Sequence, residues 1–180
     1  MLMNLQPTHL RDKLIRLVPL HAQHFEALFA AASDPLIWEQ HPTKDRYKRE
    51  VFQQFFDSAI AGKAAFLVLE LDTNKVIGSS RYYDYNGKQK SVAIGYTFLT
   101  RHYWGGRYNH SLKKLMMDYA FESVDAIIFH IGECNLRSQV ATQRLGAQKL
   151  NHVEEIRNGQ QLVRNLVYQL TKSQWQGLNI

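Results

Sequence analysis

Cysteine is almost absent: Cys134 is the single one in 180 residues. No internal disulfide can form, which excludes a disulfide-stapled scaffold and points to a reducing cytoplasm. Long apolar runs are missing as well. None approaches the ~20 residues that a membrane-spanning helix needs, so no membrane partner is expected. The start, Met1-Leu-Met-Asn-Leu-Gln-Pro-Thr8, lacks a basic segment ahead of a long apolar core, and no secretory signal is read there. Internal repeats, linkers and low-complexity stretches are also absent, so residues 1–180 are expected to form one domain.

The formal charge of +6 raises the question of nucleic acid, yet the 22 Lys and Arg are scattered. Their longest clusters run from Lys44 to Arg49 and over Lys113-Lys114. There is no arginine-rich arm and no zinc-ligand spacing. A nucleic-acid-binding domain therefore stands well behind a binder of a multiply charged phosphate ligand, which would show the same modest surplus. Apolar residues at 45% and charged residues at 21% are ordinary for a globular protein.

What is present is a patterned α/β chain. Leu14 to Val18 reads as a strand that Pro19 ends. His21 to Ala32 reads as a helix with Phe25, Leu28, Phe29 and Ala32 on one face. Ser33-Asp34-Pro35 breaks it, and a short helical piece carries Leu36, Ile37 and Trp38 as far as His41-Pro42. Asp45 to Ala61 reads as one long amphipathic helix burying Val51, Phe52, Phe55, Phe56 and Ala59, with Gly62 as its stop. Three strands follow as an antiparallel meander: Ala65 to Leu71, Lys75 to Tyr83 and Ser91 to Leu99. Asn86-Gly87 is the hairpin signal between the last two.

The stretch from Ile94 to Gly146 is the organising one. An apolar run is followed by the glycine turn Tyr103-Trp104-Gly105-Gly106-Arg107-Tyr108-Asn109 and then by a helix from Ser111 to Ala120. That helix carries Leu112, Leu115, Met116, Tyr119 and Ala120 on its apolar face. A strand-to-helix glycine turn leaves backbone N–H groups free at a helix N-terminus, which suits a phosphate. Ala126 to Ile131 can then return parallel to the last meander strand through a crossover. Asn135 caps a further helix ending at Gly146, with Val140 and Ala141 inward. Two last strands, Ala147 to Ile156 and Gln161 to Leu170, are joined by a turn at Asn158-Gly159. The expected fold is one mixed α/β sheet.

This order of elements, together with Tyr103-Trp104-Gly105-Gly106, Asn135-x-x-Ser138 and Leu145-Gly146-Ala147, resembles the GNAT superfamily of acetyl-CoA-dependent N-acetyltransferases. The nearest branch resembles the ribosomal-protein N-terminal acetyltransferases. The resemblance implies a single domain of α+β type. Its sheet is mixed and mostly antiparallel, with a central splayed pair of parallel strands and helices on both faces. It also implies acetyl-CoA as co-substrate, an amine acceptor, no metal, and a monomer or homodimer. The pantetheine arm would lie between the splayed strands and bond to backbone around Phe98 and Leu99. The pyrophosphate would rest on the turn Trp104, Gly105, Gly106, Arg107, Tyr108, Asn109 and His110. Asn135 and Ser138 occupy positions that contact pantetheine and approach the sulfur. The usual turn runs Trp-Gly-Lys-Gly-Tyr-Ala, so Arg107 stands at a patterned glycine and Asn109 at the final small position. The Arg107 side chain there either crowds the pyrophosphate or pairs with it.

Acetyl transfer to an amine needs a neutral amine, a stabilised oxyanion and a protonated leaving thiolate. Ser138 is the candidate at the sulfur, against the plainer reading of a helix serine bonding local backbone. Glu155 is the candidate base implied by the branch, on a strand where Glu154 and Glu155 face opposite ways. Trp38, Arg81 and Tyr83, with Tyr82 and Tyr85, are candidates for the acceptor wall, and Arg81 suits an anionic acceptor group. Cys134 lacks a recognisable base partner and reads as a small core residue. His21-x-x-His24 has no further ligands and reads as a surface helix. The expectation is a cytoplasmic N-acetyltransferase. A non-catalytic acyl-CoA-binding or sensor module of the same fold is the alternative.

Overall fold

Alternation of apolar residues along the strands decides the layering. In the computed structural model, which describes residues 2–158 and 161–178, β1 (Ile15–Pro19), β2 (Ala65–Glu70), β3 (Val76–Asn86) and β4 (Ser91–Leu99) precede β5 (Ala126–Gly132), β6 (Gln148–Asn158) and β7 (Gln161–Thr171). They form one seven-stranded sheet in the order β1-β2-β3-β4-β5-β7-β6. Every neighbouring pair is antiparallel except β4–β5. The helices are α1 (Phe25–Ala32), α2 (Arg49–Ala61), α3 (Arg107–Ala120), α4 (Leu136–Arg144) and α5 (Lys172–Gly177).

Both faces of the sheet are covered. On β2, Phe66 and Val68 belong to a core shared with Leu112, Met116 and Ala120 of α3, while Ala65, Leu67 and Leu69 pack with Leu28 of α1 and Phe52, Phe55 and Phe56 of α2. A strand buried on both faces reads as a continuous apolar run, as Ala65 to Leu69 does. Full burial of a side chain such as Phe52 stabilises by about 2–3 kcal/mol.

Several local expectations are corrected. The helix expected from Asp45 is broken: Lys44–Tyr47 is a 3-10 turn and Lys48 is extended (φ −83°, ψ 137°) as the N-cap of α2. The Lys48 amide donates to the Asp45 carbonyl and closes that turn, which carries Arg46 into the interior. The first turn of the helix expected from His21 is 3-10 (Ala22–His24), and His24 Nδ1 accepts from the His21 amide as a reciprocal cap. Val140 is exposed rather than inward, because α4 turns that face to an open cleft. Leu115 and Tyr119 pack at the margin of the core, whereas Lys113 and Met117 are buried. The terminal helix α5 had no counterpart in the sequence reading. Of the expected turn at Asn158-Gly159, Asn158 ends β6 and Gly159 lies outside the described residues.

The site is positioned by one irregularity. Ser79 pairs with Phe98 and Arg81 with Gly95, so Ser80 alone on β3 opposes two residues of β4, Tyr96 and Thr97. Tyr96 takes up the extra residue at φ +52°, a bulge that bends the strand. The parallel pairing of β4 with β5 then runs only from Ser91↔Ala126 to Ala93↔Ile128. Beyond that point β5 pairs with β7 alone, β4 pairs with β3 alone, and a seam opens between them.

Candidate active site

The seam contains two cavities that meet at Trp38, His41, Thr97, Asn109, Asn135, Ser138, Ala141 and Leu145. The larger, about 930 Å3, is walled by Phe98 and Leu99 of β4, the glycine turn, and Leu136, Val140 and Ala141 of α4. The Trp104 indole donates to the Leu99 carbonyl at 2.8 Å and stacks under the Arg137 guanidinium, 4.3 Å from its ring centre. Arg137 in turn pairs with Glu39 at 2.8 Å, so this contact crosses the seam from α4 to the segment before α2.

The glycine turn is organised differently from the family spelling. The left-handed residue is Gly105, at φ +81°, and Gly106 is the N-cap of α3. Arg107 is already the first helical residue, so its side chain costs no backbone strain. Gly106 offers no side chain to cap the helix, and no acidic residue stands in the first turn. The amides of Arg107, Tyr108 and Asn109 are thus the helix-end donors that lack carbonyl partners one turn back. A Cβ at Gly105 or Gly106 would meet nothing within 4 Å. Open space, uncapped amides and the adjoining apolar wall fit a pyrophosphate joined to a long apolar arm.

Of the residues expected at this end, Phe98, Leu99, Trp104, Gly105, Gly106, Arg107, Asn109, His110, Asn135 and Ser138 line the larger cavity. Tyr108 does not. Its hydroxyl donates to Glu70 at 3.1 Å and its ring packs edge-on against Tyr103, so the side chain turns to the opposite side of the helix. Asn135 caps α4, its side-chain oxygen accepting from the Ser138 amide at 3.2 Å. Cap and seam position therefore coincide in one residue.

The smaller cavity, about 580 Å3, is built from polar side chains of separate elements. The Tyr83 hydroxyl lies 2.7 Å from His130 Nδ1, and His130 Nε2 lies 3.3 Å from a carboxylate oxygen of Glu154. With the phenol donating to Nδ1, the neutral ring carries its hydrogen on Nε2 and donates it to Glu154. Burial raises the Tyr83 pKa, which keeps it a phenol. Gly95 makes this possible: a Cβ there would come within 2.9 Å of the Tyr83 ring.

Lys113 also faces this cavity, with its ammonium nitrogen 2.7 Å from Thr97 Oγ1 and over the Phe129 ring. Burial alone lowers its pKa to about 7. Arg46, 8% exposed, lies in the corner between Trp38 and Phe55, its guanidinium 5.0 and 4.6 Å from their ring centres.

Other expectations fall differently. Trp38 lines both cavities, with its indole nitrogen donating to the Ala32 carbonyl. Arg81 lines neither. Its guanidinium lies 3.3 Å from the Tyr96 ring centre and donates to Ser58, so Tyr96 stands over it. Tyr82 is core, donating to the Met116 carbonyl. Glu155 is exposed beside Arg164, 3.6 Å away, and it is Glu154 that the strand alternation turns to the seam. Cys134 is exposed rather than a core residue. Among the described residues no group of three His, Cys, Asp or Glu could hold a metal ion, and no helix is long and apolar enough to cross a membrane.

Sequence reasoning missed His130, Lys113 and Arg46, and of Glu154 and Glu155 it took Glu155. Lys113 had a signal, because Met117 and Ala120 stand four and seven residues on and share its buried face. His130 was the one polar residue in the apolar run from Ala126 to Ile131.

A sheet split at a β4 bulge, with a helix N-terminus opening onto one end of the split, is the arrangement that the sequence resemblance implies. The chain belongs to the acetyltransferase (GNAT) domain family, whose sequence model matches residues 15–148. No curated protein matches the chain in sequence. Among solved structures, a Chromobacterium violaceum protein described as a GNAT-family acetyltransferase is 21% identical, with a TM-score of 0.83 over 94% of this chain and 89% of that one. A Vibrio cholerae protein described as a ribosomal-protein-serine acetyltransferase is 15% identical, with a TM-score of 0.72 over 90% of this chain and 96% of that one. Spermidine N-acetyltransferase from Vibrio cholerae, in complex with CoA and spermine, is 15% identical, with a TM-score of 0.70 over 92% and 99%. At these identities the likeness shows the fold.

Proposed function

We propose that the protein is an N-acetyltransferase that moves the acetyl group of acetyl-CoA directly to a primary amine. The observation that carries this reading is the meeting of the two cavities at Asn135 and Ser138: one is shaped for a long phosphate-bearing donor and the other holds a proton relay. The Arg107 to Asn109 amides hold the pyrophosphate, and the backbone edge at Phe98 and Leu99 holds the pantetheine arm. The amine nitrogen attacks the thioester carbonyl carbon as its proton passes through the Tyr83 hydroxyl to His130 Nδ1. Glu154 stabilises the resulting imidazolium. When the carbon–sulfur bond breaks, the sulfur leaves with its electron pair and takes a proton through the Ser138 hydroxyl, which is reprotonated from water as the His130 imidazolium returns its proton to solvent. His130 takes the role of base that sequence reading gave to Glu155.

Calorimetric titration with acetyl-CoA, with CoA and ATP as controls, tests the donor site. Saturable binding of acetyl-CoA and CoA without binding of ATP is expected; no binding of acetyl-CoA would overturn the reading. Ser138→Ala should then lower acetyl transfer by about 10-fold, the size of one hydrogen bond to a developing charge, while acetyl-CoA affinity changes less.

A further inference from the structure

Buried polar hydrogens beside one end of the smaller cavity lack an acceptor. Arg46 lines that cavity, yet its Nε is buried with no hydrogen-bond partner. Its Nη1 lies 3.0 Å from His41 Nε2, a contact whose sense depends on the tautomer. The Thr43 amide donates to His41 Nδ1 at 2.9 Å, so Nδ1 is bare and a neutral ring carries its hydrogen on Nε2. Burial keeps the ring neutral, lowering its pKa to about 3. Arg46 Nη1 therefore meets a donor.

Among the described residues no carboxylate forms an ion pair with Arg46. Burial, and after it the charge of another buried guanidinium, Arg81, depresses its pKa to about 10. Leaving a buried charge unpaired is costly, and a ring face offsets only part of that cost. The Trp38 and Phe55 rings thus hold the guanidinium in place without supplying its missing acceptor. The same cavity carries Asp84 and Glu154 beside Tyr83 and His130, so its lining has both an acidic and a cationic part.

We propose that the acceptor amine also bears an anionic group, a carboxylate or a phosphate, bound by the Arg46 fork and His41 Nε2–H. This rests on the N-acetyltransferase reading and narrows it to amino acids and phosphorylated amines. A polyamine would bring a second cation towards Arg46, and a peptide N-terminus would bring an uncharged carbonyl in place of the anion.

Thiol release from acetyl-CoA is measured with leucine, leucinamide and isopentylamine, which share a side chain and differ at the carboxylate. O-phosphoethanolamine is measured against ethanolamine, and spermidine is included. The anionic acceptors should exceed their neutral counterparts in kcat/KM by about 10- to 100-fold, the range of charge-assisted hydrogen bonds. In Arg46→Met that ratio should fall towards one, and Arg46→Lys, which keeps the charge but not the fork, should retain part of it. A wild-type ratio near one, faster turnover of spermidine, or a ratio kept in Arg46→Met would overturn the proposal. Titration with inorganic phosphate in the presence of CoA, read as tryptophan fluorescence from Trp38 against Arg46, needs no turnover. A saturable change in the wild type that is absent from Arg46→Met supports the anion site; no saturable change overturns it. Failure of CoA to bind would remove the donor reading and leave the phosphate titration still reporting on Arg46.

Discussion

The donor half of the seam is made from backbone and apolar side chains, whereas the acceptor half is made from polar side chains on four separate pieces of chain. The donor half uses two short stretches of chain: the β4 edge, Gly105, Gly106 and the first amides of α3, then Asn135 and Ser138 at the start of α4. The acceptor half takes Arg46 from a 3-10 turn, Tyr83 from β3, His130 from β5 and Glu154 from β6. A backbone cradle tolerates changes of side chain, because its donors are peptide groups. A side-chain relay is lost when one member is removed. On the proposed function, the first half fixes the class of donor and the second fixes acceptor and chemistry.

The largest test of this contrast is His130→Ala. Acetyl transfer should fall by about 10²- to 10⁴-fold, the usual contribution of a general base, with acetyl-CoA affinity by calorimetry unchanged. Glu155→Gln, on the other face of β6, should leave the rate and its acidic limb as they are. The reverse pattern would return the role of base to Glu155 and leave the Tyr83–His130–Glu154 chain as packing.

The same contrast explains what could be read from sequence. Strand and helix periods, the glycine turn and the Asn135 cap are local, so the seam's donor half was legible from residues close together in the chain. Tyr96 shows the limit. Its positive φ lies inside a run that reads as uninterrupted strand, so the bulge was invisible although the splay it creates was implied by resemblance. The acceptor half depends on register between strands far apart in sequence. Choosing between Glu154 and Glu155 required the pairing of β6 with β7 and of β7 with β5, which alternation alone does not supply. Arg46 was hidden for another reason: an amphipathic pattern continued smoothly across Lys48, where the chain in fact leaves the helix.

Lys113 sharpens the contrast on the stability side. It is a donor-side helix residue whose ammonium group points into the acceptor cavity, and burial depresses its pKa from 10.5 to about 7. Between those values the unfolded chain binds a proton that the folded one does not, so stability rises with pH across the window and the penalty is complete below about pH 7. From pH 7 to pH 9 the gain is about 2 kcal/mol. His41, lowered from 6.5 to about 3, acts in the same sense at lower pH: stability falls as pH drops through that interval. Urea unfolding of wild type and Lys113→Met checks this. The variant should be the more stable at pH 7, and the difference should shrink by pH 9. A constant difference would mean that Lys113 stays charged in the fold.

The smallest expected effect falls on the backbone half. Gly105 sits at φ +81°, and an alanine there meets no atom within 4 Å, so the substitution is sterically open but conformationally strained. A left-handed alanine costs about 1–2 kcal/mol. The fold can relieve this by rotating the peptide between Gly105 and Gly106, which re-aims the first amides of α3. Gly105→Ala should therefore lower the urea midpoint by about 1 kcal/mol of stability at unchanged slope. Acetyl-CoA affinity should fall by about 5-fold, the worth of one amide hydrogen bond, with the KM for the amine unmoved. Loss of amine affinity with full donor affinity would show that the two halves of the seam do not divide the ligands between backbone and side chains. Loss of stability alone would show that the left-handed turn closes the fold without holding the phosphates.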